Sequence, residues 1–262
     1  MKILRFVLAA TLLVGLLSSC GGDDATDEST TTSTEATSTS GGTTTTATTG
    51  SSTTASSTTS TTESSTTSSD STTTTVPVLE QPAIWPAPGV VFDDPETAAA
   101  DFVSKVFGVP PNLGEFQQGD SRSGEIEVYS PEEGGSTSIR SVLLLRQLGP
   151  NDGWFVLAAV SDINTITTPA SGSQVAAGPV EVSGQGRGFE GLVVVEAFTA
   201  GETPRLDQQQ AQGGSTEATE PYTVTLDLSG VTTGDTVLLL VRGGVGLDTD
   251  PGEFSAIPVT VG

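Results

Sequence analysis

The stretch Tyr222-Thr223-Val224-Thr225-Leu226-Asp227-Leu228 alternates between apolar and polar side chains. Because successive side chains of a β-strand point to opposite faces of a sheet, this alternation predicts a strand with one buried face and one face in water. Similar short runs, separated by Gly, Pro, Asp and Ser, cover residues 163–167, 180–184, 192–198, 236–241 and 256–261. The region from residue 163 to the end is therefore predicted to be all β.

The length of this region and the spacing of its strands narrow the prediction further. About 100 residues with short strands at such intervals are typical of a β-sandwich of immunoglobulin type. In that architecture two antiparallel sheets pack face to face and bury alternate side chains of each strand. We therefore expect an all-β immunoglobulin-like sandwich over residues 163–262.

The preceding region contains one helix signal. Asp94 is a suitable N-cap, Pro95 fits the first helical position, and Gly108 is suited to end the helix. Between them, apolar side chains are spaced i, i+3, i+4 and i+7, at Ala99, Phe102, Val103 and Val106. This spacing predicts an amphipathic helix that faces a core.

Three strand-like runs follow the predicted helix, at residues 125–129, 139–148 and 154–160. The turn-forming residues between them lie at 131–135 and 149–153, so the three runs are predicted to form an antiparallel sheet. One helix on a short sheet is an α+β arrangement. We therefore predict a small α+β domain over residues 82–162, separate from the sandwich.

The first twenty residues have the order of a secretory signal. Lys2 and Arg5 precede an apolar run over residues 6–17, which small residues and Cys20 follow. A helix needs roughly 20 apolar residues to span a bilayer, so this run is too short for a permanent transmembrane segment. Residues 1–19 are predicted to be removed as a signal peptide.

The sequence Leu17-Ser18-Ser19-Cys20 resembles the lipobox of bacterial lipoproteins. The resemblance implies that the Cys20 thiol receives a diacylglycerol, that cleavage makes Cys20 the N-terminus, and that two or three acyl chains anchor the chain to the membrane outside the cytoplasm. The alternative is an ordinary secretory signal with an incidental cysteine. Cys20 is the only cysteine, so no disulfide can form within one molecule.

The predicted anchor is followed by a Ser/Thr-rich tract. Of the 47 residues from Ser29 to Thr75, 38 are Ser or Thr. Such a segment has too little apolar surface to offset the entropy of ordering and is predicted to be disordered. Residues 20–81 are therefore interpreted as lipid anchor and linker, and the tract is either O-glycosylated or a plain spacer.

Four segments of the C-terminal region resemble the immunoglobulin-like domain of bacterial spore-germination-type proteins, over about residues 163–262. They are Ile166-Thr167-Thr168-Pro169-Ala170-Ser171-Gly172-Ser173, Pro179-Val180-Glu181-Val182-Ser183-Gly184, Phe189-Glu190-Gly191 and Ile257-Pro258-Val259-Thr260-Val261. The sporulation-type domain that often accompanies this module is not recognised in residues 82–162. The resemblance implies a non-catalytic interaction domain in the cell envelope.

The composition excludes several kinds of chemistry. The chain has no histidine, and its one cysteine is assigned to the anchor, so nucleophilic triads and the usual ligands of zinc, copper and haem are missing. The run Gly184-Gln185-Gly186-Arg187-Gly188 precedes a strand and not a helix, which favours a turn between strands over a phosphate-binding loop. We expect no enzymatic activity, no cofactor and no metal site.

Two groups of carboxylates deserve a second interpretation. Glu125 and Glu127 lie on one face of a predicted strand and could flank a glycosidic bond, although a solvated strand face explains them more simply. The turn Asp248-Thr249-Asp250-Pro251-Gly252-Glu253 could offer oxygens to calcium. It lacks the spacing of a full calcium loop, so a plain acidic turn is favoured.

The aromatic residues raise the question of sugar binding. Trp85 lies in an extended Pro-rich segment and could present its indole to a sugar ring, but burial in the core is the favoured interpretation. Trp154 begins an apolar run and is predicted to be buried as well. Tyr129 is the other residue considered for glycan binding.

The charge indicates which partners are unsuitable. The formal net charge is −23, and removal of Lys2 and Arg5 with the signal peptide changes it to −25. Nucleic acid would be repelled by such a chain. We predict a lipid-anchored extracytoplasmic envelope protein that docks a protein through its immunoglobulin-like domain. The alternatives are a wall-glycan-binding module and, less favoured, a carboxylate-based glycan hydrolase.

Overall fold

The computed structural model describes residues 79–131 and 136–262 of the chain. The predicted signal peptide, Cys20 and all but the last three residues of the predicted linker lie outside the described residues. Most of the predicted turn at 131–135 lies outside them too. Descriptions of helices, strands and contacts below refer to the described residues alone.

The secondary structure is mostly β. The helix α1 spans Pro95–Phe107, and a 3₁₀ turn spans Phe189–Gly191. The strands are β1 Gln117–Gln118, β2 Ser123–Tyr129, β3 Ile139–Leu148, β4 Gly153–Val160, β5 Thr165–Thr168, β6 Gln174–Val175, β7 Pro179–Gly186, β8 Leu192–Thr199, β9 Asp207–Gln212, β10 Glu220–Asp227, β11 Thr236–Gly243 and β12 Phe254–Val261.

The helix begins and ends at the predicted residues. The Asp94 carboxylate accepts hydrogen bonds from the Thr97 backbone N–H at 2.8 Å and from the Thr97 hydroxyl at 2.7 Å. Pro95 is the first helical residue. Gly108 ends the helix with φ +70°, a left-handed conformation that favours glycine. The predicted caps are confirmed.

This cap makes part of the stability depend on pH. The Thr97 hydroxyl, and then its backbone N–H, hold the pKa of Asp94 below its ordinary value. Because the folded pKa is depressed, the stabilisation is complete above the unfolded pKa of about 4 and is lost as the pH falls through the folded pKa. We expect Asp94→Ala to lower the free energy of unfolding by about 1 kcal/mol at pH 7. Thermal unfolding should show a smaller difference at pH 2.5, whereas an unchanged difference would contradict the charge-dependent cap.

Two sheets form the frame of the molecule. The larger has the strand order β1-β2-β3-β4-β12-β11-β8-β9, in which neighbouring strands are antiparallel, and β6 pairs in parallel with β12. The smaller has the order β10-β7-β5. The coarse prediction of antiparallel β-structure with a single helix is confirmed for the described residues.

The larger sheet is buried on both faces along β11. Leu238 and Leu240 belong to a core that also contains Phe102 of α1, whereas Val237, Leu239 and Val241 belong to a second core beneath the smaller sheet. This double burial explains why Val237-Leu238-Leu239-Leu240-Val241 is continuously apolar and does not alternate.

The region predicted to be a separate α+β domain contributes strands to the larger sheet. Ala159 of β4 pairs with Ala256 of β12, so β2 to β4 continue the larger sheet. The core around Phe102 includes Phe254 of β12, and the rings of Phe107 and Phe254 lie 4.5 Å apart between centroids. The division into two domains at residue 162 stays a prediction. The larger sheet and the core around Phe102 contain residues from both sides of that division.

Nine predicted strands each overlap an observed strand, whereas β1, β6 and β9 were not predicted. The prediction of a turn at Gly184-Gln185-Gly186-Arg187-Gly188 is wrong for its first half, because Gly184 and Gly186 belong to β7. A Cβ on Gly184 would overlap the Thr165 carbonyl and lie 3.0 Å from the Tyr222 hydroxyl. The glycine at 184 therefore serves close strand packing and not a turn.

Candidate functional site

Three loops meet around a cleft of about 550 Å³. Residues 187–191 join β7 to β8, residues 213–219 join β9 to β10, and residues 244–253 join β11 to β12. Each loop contributes lining residues, and Arg140 of β3 and Gly243 of β11 also line the cleft. We call this feature the loop cleft.

Apolar side chains are exposed at the loop cleft. Phe189 is 62 % exposed and Leu247 is 37 % exposed, and both line the cleft. The Phe189 backbone N–H donates to the Gly244 carbonyl at 2.9 Å, which joins the first loop to the third. A large aromatic side chain is thus held at the surface by backbone contacts and has little apolar contact of its own.

Backbone strain is concentrated at the same place. Three non-glycine residues in the described part of the chain have positive φ, and two of them, Glu190 at 56° and Thr216 at 57°, line the loop cleft. This conformation is disfavoured for any side chain and most of all for a β-branched one such as Thr. Strained backbone of this kind clusters at ligand-binding sites, so it marks the cleft as a candidate site.

A nearly buried ion pair fixes one wall of the loop cleft. The Arg140 guanidinium donates to both carboxylate oxygens of Asp250, from Nε at 3.0 Å and from Nη2 at 2.5 Å. Asp250 is 6 % exposed, and its Oδ1 also accepts from the Gly252 N–H at 2.9 Å. The bidentate pair ties the loop at 244–253 to β3.

A second set of contacts holds the remaining loops. Arg187 lies 3.6 Å from the Glu253 carboxylate through Nη2, and its Nη1 donates to the Glu217 carbonyl at 3.2 Å. Asn164 is fully buried; it donates from Nδ2 to the Glu253 carbonyl at 2.8 Å and accepts from the Arg187 N–H at 3.0 Å. Because the loop at 187–191 is hydrogen-bonded to both of the other loops, contacts within the chain hold the cleft together.

We expect Asp250→Asn to destabilise the chain by about 2 kcal/mol, because Asn keeps the acceptor for Gly252 but removes the charge that faces Arg140. The control is Asp152→Asn, in the pair of Arg122 with Asp152, whose side chains are 42 % and 67 % exposed. That change should cost less than about 1 kcal/mol. Urea unfolding of both variants measures the two losses of unfolding free energy. Equal losses would mean that the Arg140–Asp250 pair stabilises the chain no more than the exposed Arg122–Asp152 pair does.

The two tryptophans are buried, as the favoured interpretation predicted. Trp85 is 5 % exposed and Trp154 is 9 % exposed. The Trp85 Nε1–H donates to Asp101 Oδ2 at 2.9 Å, and its ring contacts Phe102 edge to face at a centroid distance of 6.3 Å. The alternative in which Trp85 presents its indole to a sugar is therefore wrong.

The paired acids lie on one face of β2, as predicted, with Glu125 exposed and Glu127 half-buried. The Tyr129 hydroxyl donates to Glu127, and this hydrogen bond raises the pKa of Tyr129. Neither carboxylate lines the loop cleft. Tyr129 is half-buried with its hydroxyl engaged, which leaves it a poor platform for a sugar.

The turn from Asp248 to Glu253 forms part of the loop cleft. Asp250, one of the three carboxylates that could have offered oxygens to calcium, is bonded to Arg140 and to the Gly252 N–H. Among the described residues, no group of three or more acidic, histidine or cysteine side chains is arranged to hold a metal ion. The turn is acidic, and two of its three carboxylates, those of Asp250 and Glu253, form ion pairs.

The exposed Phe189 was not singled out from the sequence as a site residue. It stands in Gly188-Phe189-Glu190-Gly191, where an aromatic side chain lies inside a glycine-rich turn and outside the alternation of a strand. That position is the signal that could have identified it. The ion pairs around it join residues too distant in the chain to be predicted from spacing.

Comparisons with protein-family models, with curated proteins and with solved structures give no match to this chain. What the molecule does is therefore inferred from the geometry of its described residues and from its sequence. None of the helices in this part of the chain has the length and apolar character needed to cross a bilayer. Cys20, the predicted lipid attachment residue, lies outside it.

Proposed function

We propose that this chain is a lipid-anchored extracytoplasmic protein of the bacterial envelope that docks a partner protein at the loop cleft and catalyses no reaction. The single observation that carries the docking proposal is Phe189, which is 62 % exposed at the mouth of a cleft built from three interlocked loops. A rigid aromatic side chain at the edge of a preformed cleft is typical of a binding hot spot.

The proposal includes an assignment of the two sheets to a known type of fold. We take β5 to β12 as an immunoglobulin-like sandwich and residues 82–162 as a small α+β layer added to its larger sheet. The orders β5-β7-β10 and β12-β11-β8-β9 support this, because they follow the A-B-E and G-F-C-C′ orders of that fold. The similarity to the spore-germination-type module is a similarity of fold, and no germination role follows from it.

The position of the loop cleft agrees with this assignment. In the immunoglobulin order, residues 187–191 form the B–C loop and residues 244–253 form the F–G loop. In variable domains these two loops, with a third, form the antigen-binding end. The agreement is an analogy of fold, and it supports protein docking at the same end of this sandwich.

The membrane contact in this proposal is the lipid on Cys20. Its support is the order of charge, apolar run and lipobox-like residues before the cysteine. Cells grown with radiolabelled fatty acid should yield a labelled chain whose signal peptide is retained in globomycin. Cys20→Ser is the control, and equal labelling of that variant would contradict the anchor.

The two alternatives have less support in the site geometry. Glycan binding would have used an exposed Trp85 or Tyr129. Trp85 is buried against Phe102, and Tyr129 is half-buried with its hydroxyl bonded to Glu127. A glycan hydrolase needs two carboxyl groups roughly 5 to 10 Å apart that share a cleft. Glu125 and Glu127 lie away from the loop cleft. No specific observation favours either function over docking.

Site-specific photocrosslinking in intact cells tests the proposal. A photoreactive phenylalanine at position 189 should capture a reproducible protein partner after irradiation. The matched control places the same amino acid at Val90, which is 46 % exposed and does not line the loop cleft. Adducts only from 189 support docking, whereas no protein adduct at 189, or identical adducts at both positions, would overturn it.

A further inference from the structure

We propose that the loop cleft takes a cationic, apolar segment of the partner protein, in which an apolar side chain inserts beside Phe189 and Leu247 and a neighbouring Lys or Arg meets Glu190. This inference rests on the proposed function, because it names the chemistry of the partner at the same site. It is drawn from the charge that remains at the cleft after the ion pairs of the chain are assigned.

The arginines of the described residues are all paired with carboxylates. Each of the six lies within 4.0 Å of a carboxylate, in the pairs Arg122–Asp152, Arg140–Asp250, Arg146–Asp120, Arg187–Glu253, Arg205–Glu196 and Arg242–Glu196. At the loop cleft, both Arg140 and Arg187 are held in this way, and Arg187 also donates to a backbone carbonyl. The cleft therefore offers no unsatisfied positive charge to a ligand.

The negative charge at the cleft is in excess. Its lining contains two arginines and three carboxylates, Glu190, Asp250 and Glu253, which gives a formal charge of −1. Glu217 and Asp248, which directly follow the lining residues Thr216 and Leu247, change the sum to −3. Glu190, Glu217 and Asp248 are exposed and have no ion-pair partner among the described residues.

The apolar residues of the cleft indicate that the ligand also carries an apolar side chain. Phe189, Val245 and Leu247 are interleaved in the lining with glycines at 243, 244 and 246, so a side chain can approach the backbone closely. A partner Leu or Phe would gain apolar burial there. A cation beside it would gain attraction from Glu190 and from the face of the Phe189 ring.

The same charges argue against other occupants. A second copy of the mature chain carries a formal charge of −25 and would be repelled. Anionic lipid head groups and nucleic acid would be repelled for the same reason. A neutral apolar peptide would leave the acidic rim unused, so it should bind more weakly than a cationic one.

The test uses the mature full-length chain with Cys20→Ser, which stays unacylated, and three synthetic ten-residue peptides. The peptides share one pattern of Leu and Phe and differ only in having Lys, Gln or Glu at the positions between. We expect the Lys peptide to bind at least about tenfold more tightly than the Gln peptide, with the Glu peptide weakest. Affinity for the Lys peptide should fall as salt rises from 50 to 300 mM.

Glu190→Gln should lower the affinity for the Lys peptide several-fold and leave the affinity for the Gln peptide unchanged. The substitution removes the negative charge at the rim of the cleft and keeps the size of the side chain. The control is Glu181→Gln, an exposed carboxylate on β7 outside the loop cleft, which should change neither affinity. Equal binding of the three peptides, or equal effects of the two substitutions, would overturn the inference.

Crosslinking from position 189 separates this inference from the proposed function. If the adduct contains a partner whose attached segment is neutral or acidic, the cationic assignment is wrong while docking stands. If position 189 captures no protein at all, the docking proposal itself is wrong. A captured segment rich in Lys or Arg beside apolar residues supports both.

Discussion

Glu196→Gln is expected to lower the free energy of unfolding by about 2 to 4 kcal/mol. Removing one partner of a buried ion pair typically costs about 3 to 5 kcal/mol, because the remaining charge loses its compensation. The expectation here is set lower, since Arg205 and Arg242 keep 49 % and 27 % of their side-chain surface exposed and can turn partly to water.

The geometry around Glu196 explains the size of this effect. Glu196 lies on β8, is 3 % exposed, and is on the same side of the strand as the core residue Phe198. One carboxylate oxygen accepts from Arg205, and the other accepts from Arg242 Nε at 2.9 Å. A single buried carboxylate therefore bonds to two guanidinium groups from different parts of the chain.

Urea unfolding of the mature chain measures this loss, and Glu181→Gln serves as the control. Glu181 is an exposed carboxylate on β7, in the neighbouring sheet, and its replacement should change stability by less than about 0.5 kcal/mol. If Glu196→Gln also changes the free energy of unfolding by less than about 0.5 kcal/mol, the expectation is wrong, and water solvates the two arginines well enough without the carboxylate.

Phe189→Ala is expected to weaken binding of the crosslinked partner by about 30-fold without lowering the stability of the chain. Truncation of a hot-spot side chain costs about 2 kcal/mol or more, which corresponds to that factor in affinity. Stability should be unaffected because the side chain is 62 % exposed and contributes little to either core.

Surface plasmon resonance with the captured partner measures this change, and thermal unfolding checks the fold. Val90→Ala is the matched control, since Val90 is 46 % exposed and lies outside the loop cleft. An affinity for Phe189→Ala equal to that of the control would remove Phe189 from the docking surface. A lowered melting temperature would show that Phe189 has a structural role.

The features that sequence alone could predict are local. Asp94, Pro95 and Gly108 act on residues within one turn of themselves, so the helix could be placed by its caps. Strands whose side chains alternate, such as β10, could be placed in the same way. Strand β9 could not, because it is an edge strand rich in Gln whose sequence lacks a buried apolar face.

The features that could not be predicted depend on contacts between distant residues. The glycine-rich sequence around Gly184 favours a turn, whereas the role of Gly184 comes from the close approach of Thr165 and Tyr222. Arg140 and Asp250 are 110 residues apart in the chain and meet only through the fold. The loop cleft itself arises where three loops converge, and no spacing in the sequence specifies that convergence.

Hydrogen–deuterium exchange of the mature chain, alone and bound to the partner captured from position 189, tests the docking site most directly. We predict slower exchange on binding in residues 187–191, 213–219 and 244–253, the three loops that line the loop cleft. Exchange in α1 and in β2 should not change. Protection confined to α1, β2 or β3, with the three loops unchanged, would contradict docking at the loop cleft.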